Sequence, residues 1–269
     1  MPKPCHIELA DGTLIPILHE DRSVIAIDKP PGWMLVPHSW QKTNRNLQAA
    51  IVSSIAAGDY WARSRGVKFL RHVHRLDGET SGVLLFARSQ GAVDSYGRLF
   101  ESRQMEKAYL VVVQGTPKQT AWICREPIGP DPHQIGRMQV DRREGKESET
   151  HFKVLQAGTK TSLLEARPVT GRTHQIRVHL LASGHPVVGD ELYGTAAGQA
   201  GGKKNSRSQN RLGLRSVFLA YTDPFSKRRV KIEAPTEEFL REFGFAQMLS
   251  SPGAGSIDST SRSRDAEAR

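Results

Sequence analysis

One run in this chain has the residue types and order that chemistry needs: His74-Arg75-Leu76-Asp77-Gly78-Glu79-Thr80-Ser81-Gly82, followed by Val83-Leu84-Leu85-Phe86. It reads as a carboxylate in a turn between two apolar strands, flanked by an arginine and two hydroxyls. A turn at the end of a buried strand holds a side chain rigidly while leaving it accessible. An ionised carboxylate in such a place can attack carbon covalently or relay a proton. The plainer reading is an aspartate that only bonds its own turn backbone. The pattern alone leaves both readings open.

Such a carboxylate needs a frame, and hydrophobic periodicity supplies one. Ser23–Asp28 alternates apolar and polar side chains and predicts a strand, which the rigid turn Lys29-Pro30-Pro31-Gly32 stops. Asn46 is placed to cap a helix running to about Ala57, with Leu47, Ala50, Ile51 and Ile55 on one face. Further strands are expected at Gly82–Ala87, Ala108–Val113, Trp122–Cys124, Thr150–Leu155 and Ser162–Arg167, with a helix over Val93–Phe100. Thr173–Ser183 reads as a helix with Thr173 as N-cap and Gly184 as its stop. Ser216–Tyr221 and Arg229–Glu233 form a late strand pair, and Thr236 is expected to cap a short helix through Phe243.

Many strands interleaved with few helices imply an α+β fold, a single domain around a largely antiparallel or mixed sheet with flanking helices. Its expected span is 20–246, with residues 1–19 as an extension too short for a separate RNA-binding domain. The stretch 195–209 reads as a mobile basic loop and 247–269 as a disordered tail, since neither shows a helix or strand period.

Composition narrows the partners. The chain has 269 residues and a formal net charge of +10, which favours a polyanion because Lys and Arg displace counterions from phosphates. Basic residues recur in Arg63–Arg71, Arg137–Lys146, Lys203–Arg215 and Lys227–Lys231. Each run alone is also what a solvated face looks like. No apolar run is long enough to cross a bilayer, and the start Met-Pro-Lys-Pro-Cys-His has no secretory h-region. Two cysteines, Cys5 and Cys124, are too few for a disulfide framework or a zinc knuckle, which suits a reducing, cytoplasmic setting.

The run at 74–86 resembles the signature of the RluA-type pseudouridine synthase family: His-Arg-Leu-Asp, two variable residues, Thr-Ser-Gly, then an apolar strand. The similarity continues through Asp28-Lys29-Pro30-Pro31-Gly32, Lys107-Ala108-Tyr109-Leu110-Val111, Pro127-Ile128-Gly129 and Gly145-Lys146-Glu147-Ser148. Its last strong motif is Arg167-Pro168-Val169-Thr170-Gly171-Arg172-Thr173-His174-Gln175-Ile176-Arg177-Val178-His179. Gly189-Asp190, Tyr193-Gly194 and Glu233-Ala234-Pro235 follow in order, so the resemblance covers roughly residues 20–240. Departures are the missing room for an S4-like N-terminal domain, Pro31 in place of a small residue, Arg215 where histidine is common, and a long 195–209 loop. They bear on which RNA is the substrate rather than on the reaction.

The resemblance implies isomerisation of uridine to pseudouridine in structured ribosomal or transfer RNA, with Asp77 as the catalytic residue. Arg177 is then expected beside Asp77, its planar fork suited to a carboxylate. Burial favours the protonated form of a carboxylate and a guanidinium neighbour opposes that. Tyr109 is expected to stack on the target base. Arg75 is expected to hold the flipped nucleotide's phosphate or fill the space it vacates, the alternative being a surface salt bridge to Glu79. His74, Thr80, Ser81, His174 and Gln175 are expected as supporting groups or phosphate contacts.

The reaction involves no net redox change, so neither cofactor nor metal is expected, and a monomer without an obligate protein partner is the simplest assembly. His174, Asp190 and Asp77 match no defensible metal spacing. His74-Arg75-Leu76-Asp77 is superficially similar to a kinase catalytic loop, but no Gly-rich nucleotide loop precedes it. The Asp77/Glu79 pair lacks any sugar-site context for a glycosidase. The alternative of another class is a catalytically idle RNA-binding or assembly factor with the same fold.

Overall fold

The computed structural model describes residues 3–35, 45–194 and 211–250, so the 195–209 loop and the tail beyond 250 lie outside the described residues. The scaffold is one large sheet. Its first strands are β1 (His6–Glu8), β2 (Leu14–Glu20), β3 (Val24–Lys29), β4 (Arg71–His72) and β5 (Ser81–Ala87). Then come β6 (Glu106–Gln114), β7 (Ala121–Cys124), β10 (Thr150–Gln156), β11 (Thr161–Pro168), β12 (Leu214–Thr222) and β13 (Arg229–Glu233), while β8 (Ile128–Pro130) and β9 (Met138–Val140) form a separate hairpin. The strand order is β1-β2-β3-β5-β12-β6-β11-β10-β7, with β13 on β12 and β4 on β5. Among the described residues, β5–β12 is the parallel pair and the other ladders are antiparallel.

Strand β5 sits at the centre because all seven of its residues are buried. A strand covered on both faces reads as a continuous apolar run. Successive side chains point to opposite faces. Ile25, Ile27, Leu84 and Phe86 pack on the side that carries helices α1 (Leu47–Ala57) and α4 (Gln175–Ala182), through Leu47, Ile51, Ile176 and Leu180. Val24, Ala26, Val83 and Leu85 pack on the opposite side against Ala92 and Tyr96 of α3 (Gln90–Glu101). Each of the larger of these side chains contributes about 1.5–3 kcal/mol by leaving water. A one-residue register slip would exchange the two faces.

Gly82 fixes how β12 joins. Its φ is +107°, and a Cβ there would lie 1.9 Å from the Ser216 carbonyl oxygen. The parallel contact of Ser216 with Gly82 therefore admits no side chain, which explains the glycine five residues after Asp77.

Several expectations need revision. The residues taken as an N-terminal extension form β1 and β2, and β2 joins the sheet by pairing Ile17 with Ile27. Ile7 and Ile15 are fully buried there, so apolar burial outweighs the mixed composition of this segment. The stretch before Asp77 carries only the two-residue strand β4. Helix α3 starts three residues earlier than expected, because the Ser89 hydroxyl accepts the Ala92 N–H at 3.2 Å. Asn46 does cap α1, accepting the Ala49 N–H at 3.0 Å.

Thr173 is not the cap of α4. His174 occupies that position in a left-handed conformation, φ 55°, without a side-chain cap. The Arg172 N–H already donates to the Gln175 carboxamide oxygen, at 2.9 Å, and the chain turns through His174 instead. Helix α2 (Tyr60–Arg63) is a short addition after α1. The described residues from Pro235 to Ser250 form a second compact unit with α5 (Glu237–Glu242) and a 3-10 turn at Ala246–Ser250, so order extends four residues into the tail expected from 247. Thr236 precedes α5 but gives no side-chain cap.

Candidate active site

The turn carrying Asp77 is anchored from below by Lys29, the last residue of β3. Its side chain is fully buried, and its ammonium donates to the carbonyls of Pro30, Gly78 and Thr80 at 3.0, 2.7 and 2.9 Å. Three donors meet three acceptors, which satisfies an otherwise expensive buried charge. Burial pushes the Lys29 ammonium down to about 7, and the negative charges of Asp77 and Glu79 act against that shift. The Thr80 N–H closes the turn on the Asp77 carbonyl at 3.1 Å.

Above the turn, α4 delivers Arg177. Its Nη1 donates to Asp77 Oδ2 at 3.1 Å, while Nε and Nη2 form a bidentate pair with Asp190 at 2.7 and 2.8 Å. Burial acts to lower the guanidinium's pKa, but the Asp190 bonds and both carboxylate charges raise it above its ordinary value. Asp190 is completely buried at its side chain, whereas Asp77 keeps 26 % exposure. The Asp190 Oδ1 also accepts the N–H groups of Leu192 and Tyr193, both at 3.0 Å. Gly189 lets that turn form: its φ is +73°, and a Cβ would lie 2.1 Å from the Arg211 carbonyl oxygen.

His174 completes this side of the site. Its Nε2 lies 3.9 Å from Asp77 Oδ2, and its Nδ1 is 2.8 Å from the Tyr193 hydroxyl. Burial keeps His174 below the usual imidazole range, with Asp77 pulling the other way. Tyr109, on β6, is buried in the same apolar cluster as Ile176 of α4. Burial pushes its phenol up to about 12, a bond to Ser216 opposes the shift, and the Asp77 charge reinforces it. The phenol therefore stays protonated at neutral pH.

The site thus gathers a partly open carboxylate, a fixed guanidinium, an imidazole and a phenol ring. Matches to known proteins agree with one another. The RNA pseudouridylate synthase family model matches residues 23–182. Ribosomal large subunit pseudouridine synthase C of Escherichia coli (strain K12) is 34 % identical over 237 residues, covering 88 % of this chain and 71 % of that protein.

The chain belongs to the RNA pseudouridylate synthase family. Its counterpart from Yersinia pestis is 34 % identical over 226 residues, covering 84 % of this chain and 67 % of that protein. Among solved structures, Human RNA Pseudouridylate Synthase Domain Containing 1 superposes with a TM-score of 0.63 at 28 % identity, covering 82 % of this chain and 83 % of the other. Human RNA Pseudouridylate Synthase Domain Containing 4 shares the fold, with a TM-score of 0.66, 24 % identity, and coverage of 86 % and 92 %. As a member of the RluA-type group, the protein is an RNA pseudouridine synthase, an isomerase.

Not every residue expected in this synthase's site reaches it. Arg75 is exposed beside Asp77 and makes no ion pair with Glu79 among the described residues. His74 turns inward: it stacks on Phe100 at 4.6 Å, and Nε2 accepts the Leu85 N–H at 3.1 Å. Burial pushes it down to about 3, which fits a supporting group held within the fold. Ser81 is buried and accepts from Arg215 Nη1 at 3.2 Å. Thr80 is buried as well, and its hydroxyl has no hydrogen-bond partner among the described residues.

Gln175 is an internal staple. Its carboxamide takes the Thr170 hydroxyl and Arg172 N–H on oxygen, and donates to the Glu149 carbonyl and Thr150 hydroxyl. The basic runs are also partly structural. Arg65 pairs with Glu20 at 2.7 Å with a 4 % exposed side chain, and Arg215 pairs with Asp28 at 2.7 Å. Sequence reasoning missed Lys29, Asp190 and Tyr193 as parts of this constellation. A lysine ending an otherwise apolar strand was the one local signal for Lys29. Asp190 and Tyr193 gave no local signal for their tie to Arg177.

Proposed function

We propose that Asp77 initiates the uridine isomerisation, and that the substrate is a uridine in ribosomal RNA. The observation that carries the first part is its single 3.1 Å bond among the described residues, from Arg177, with 26 % of the side chain left open. A carboxylate offers about four lone-pair sites, so most of its bonding capacity remains for substrate. The substrate class rests on the relatives named ribosomal large subunit pseudouridine synthase C.

The reaction breaks the bond between uracil N1 and ribose C1′, turns the base, and joins C5 to C1′; C5 then gives up its proton to water and N1 takes one, which is why tritium at C5 reports turnover. A uridine inside folded RNA must leave its stack before Asp77 reaches it. The exposed Arg75, two residues away, is positioned to hold the displaced nucleotide's phosphate or occupy the vacated space. Tyr109, kept protonated by burial, is the ring on which the base would stack. The isomerisation has no net redox change, so it calls for no external oxidant or reductant. Both cysteines are free thiols, as a reducing compartment such as the cytoplasm would keep them.

The test is Asp77→Asn, which preserves shape and removes the charge. Purified wild-type protein should release tritium from 5-tritiated uridine in bulk ribosomal RNA. The variant should bind that RNA and melt like wild type while yielding no pseudouridine. Normal yield from Asp77→Asn would refute the role of Asp77, and activity on transfer RNA alone would refute the substrate class.

A further inference from the structure

We propose that Tyr193 is a positioning residue that couples the β8–β9 hairpin to the Asp77 site through Arg177 and His174. The proposal rests on Asp77 being the catalytic carboxylate.

Tyr193 is 2 % exposed, yet its polar capacity is fully used. Its hydroxyl accepts the Met138 N–H at 2.8 Å and lies 2.8 Å from His174 Nδ1. A phenol has one proton. The Asp77 carboxylate, 3.9 Å from Nε2, favours the imidazole proton on that nitrogen, which leaves Nδ1 to accept the Tyr193 proton. One hydroxyl thereby braces the ring with Nε2 toward the reacting carboxylate.

The ring does a second job. Arg177 Cζ stands 4.9 Å from its centroid and Arg137 Cζ stands 5.5 Å away, both within cation–π range. The His174 ring meets it edge-on at 5.5 Å. The Tyr193 N–H donates to Asp190, the bidentate partner of Arg177. Tyr193 therefore touches both Arg177 and His174, the two groups whose nitrogens lie within 4 Å of Asp77 Oδ2 among the described residues.

Met138 opens β9 and Arg137 precedes it, so the other end of each contact lies on the hairpin. The hairpin reaches outward: Ile135 at its tip is 84 % exposed. Arg137 Nε is buried without a hydrogen bond among the described residues, and Asp131 lies 3.7 Å from it. A long RNA lying across the tip would load the hairpin, and that load enters the site through one hydroxyl and one ring.

Simple packing does not account for the hydroxyl. Tyr193 fills a small apolar cluster with Ile128 and Val178, and a phenylalanine ring would fill it equally well. Tyr193→Phe therefore removes the coupling and keeps the packing. On ribosomal RNA the variant should lose about tenfold in kcat, the order expected for one hydrogen bond, with KM within about twofold and melting lowered by at most about 4 °C.

In a His174→Gln background the same substitution should cost less than about twofold, because its route to Asp77 is already cut. An unchanged kcat, a loss confined to KM, or an equal loss in both backgrounds would overturn the proposal. Should Tyr193→Phe fail to fold, Arg137→Ala loosens the hairpin from outside. A drop of about threefold in kcat then supports the coupling, and no drop overturns it. Asp77→Asn run alongside separates the two ideas: an active Asp77→Asn sinks the catalytic assignment, whereas an inactive one with fully active Tyr193→Phe sinks only the coupling.

Discussion

Asp77 and Asp190 share one guanidinium and are held in opposite ways. Asp190 receives four hydrogen bonds, two from Arg177 and two from backbone N–H groups, with its side chain wholly out of water. Among the described residues, the Asp77 carboxylate receives one, at 3.1 Å, and stays 26 % exposed. A saturated carboxylate has no lone pairs left for a substrate and serves as a counter-charge. An unsaturated one beside a fixed cation is available for chemistry. The turns differ to match: Asp190's is shaped around its own carboxylate, while Asp77's is clamped through its carbonyls by Lys29, leaving the side chain free.

The hardest test of that contrast is Arg177→Met. It leaves the buried Asp190 without a counter-ion, so denaturant melts should show a loss of about 3–5 kcal/mol and turnover should vanish. A stable, inactive protein would instead mean that Asp190 is relieved by some other group.

Lys29→Met probes the Asp77 turn from below. Three carbonyls lose their donor, which should cost about 3 kcal/mol in urea unfolding and lower turnover as the turn loosens. Equal activity would show that the clamp does not matter for the carboxylate's placement.

The two aspartates can also be exchanged for asparagine in turn. Asp190→Asn should destabilise by about 2–3 kcal/mol. Asp77→Asn should stay within about 0.5 kcal/mol of wild type, as expected for a side chain with few contacts. Similar losses from both would erase the distinction between them.

The smallest expected effect comes from His74, on the flank of the Asp77 turn. Burial holds it at about 3 in the folded chain, against an ordinary value of 6.5. Below 6.5 the unfolded chain takes up a proton that the folded chain refuses. Its contribution is therefore intact above that pH and declines as pH falls toward about 3, with about 2 kcal/mol gone by pH 5. Urea midpoints at neutral and mildly acidic pH, compared between wild type and His74→Phe, measure it; the variant should show the shallower slope.

Local signals were the readable ones. The Asn46 cap needs only the Ala49 N–H three residues on, and the apolar runs of β3, β5, β6 and β12 announce buried strands. The contiguous run at 74–82 exposes Asp77 for the same reason, since its turn is built from neighbours. Misreadings came where distant groups decide. Thr173 looked like a cap, but Gln175 commits its carboxamide to Arg172 and to Thr150 across the sheet. His74 and Gln175 read as supporting groups or phosphate contacts, and only the tertiary structure shows which internal groups they support. The mixed stretch before residue 20 became strands because β3 offered them an edge.

The amino-acid order alone determined the alternation that builds the sheet, the turn that lifts Asp77 off its central strand, and the motifs that mark the family. Tertiary structure decided which charges meet. Arg177 lies 100 residues from Asp77, Lys29 lies 49 from Gly78, and Tyr193 joins a hairpin 55 residues away. Residue type limits what each such group can bond. Only the packing of α4, β3 and the hairpin around one strand end leaves the Asp77 carboxylate with bonding capacity to spare.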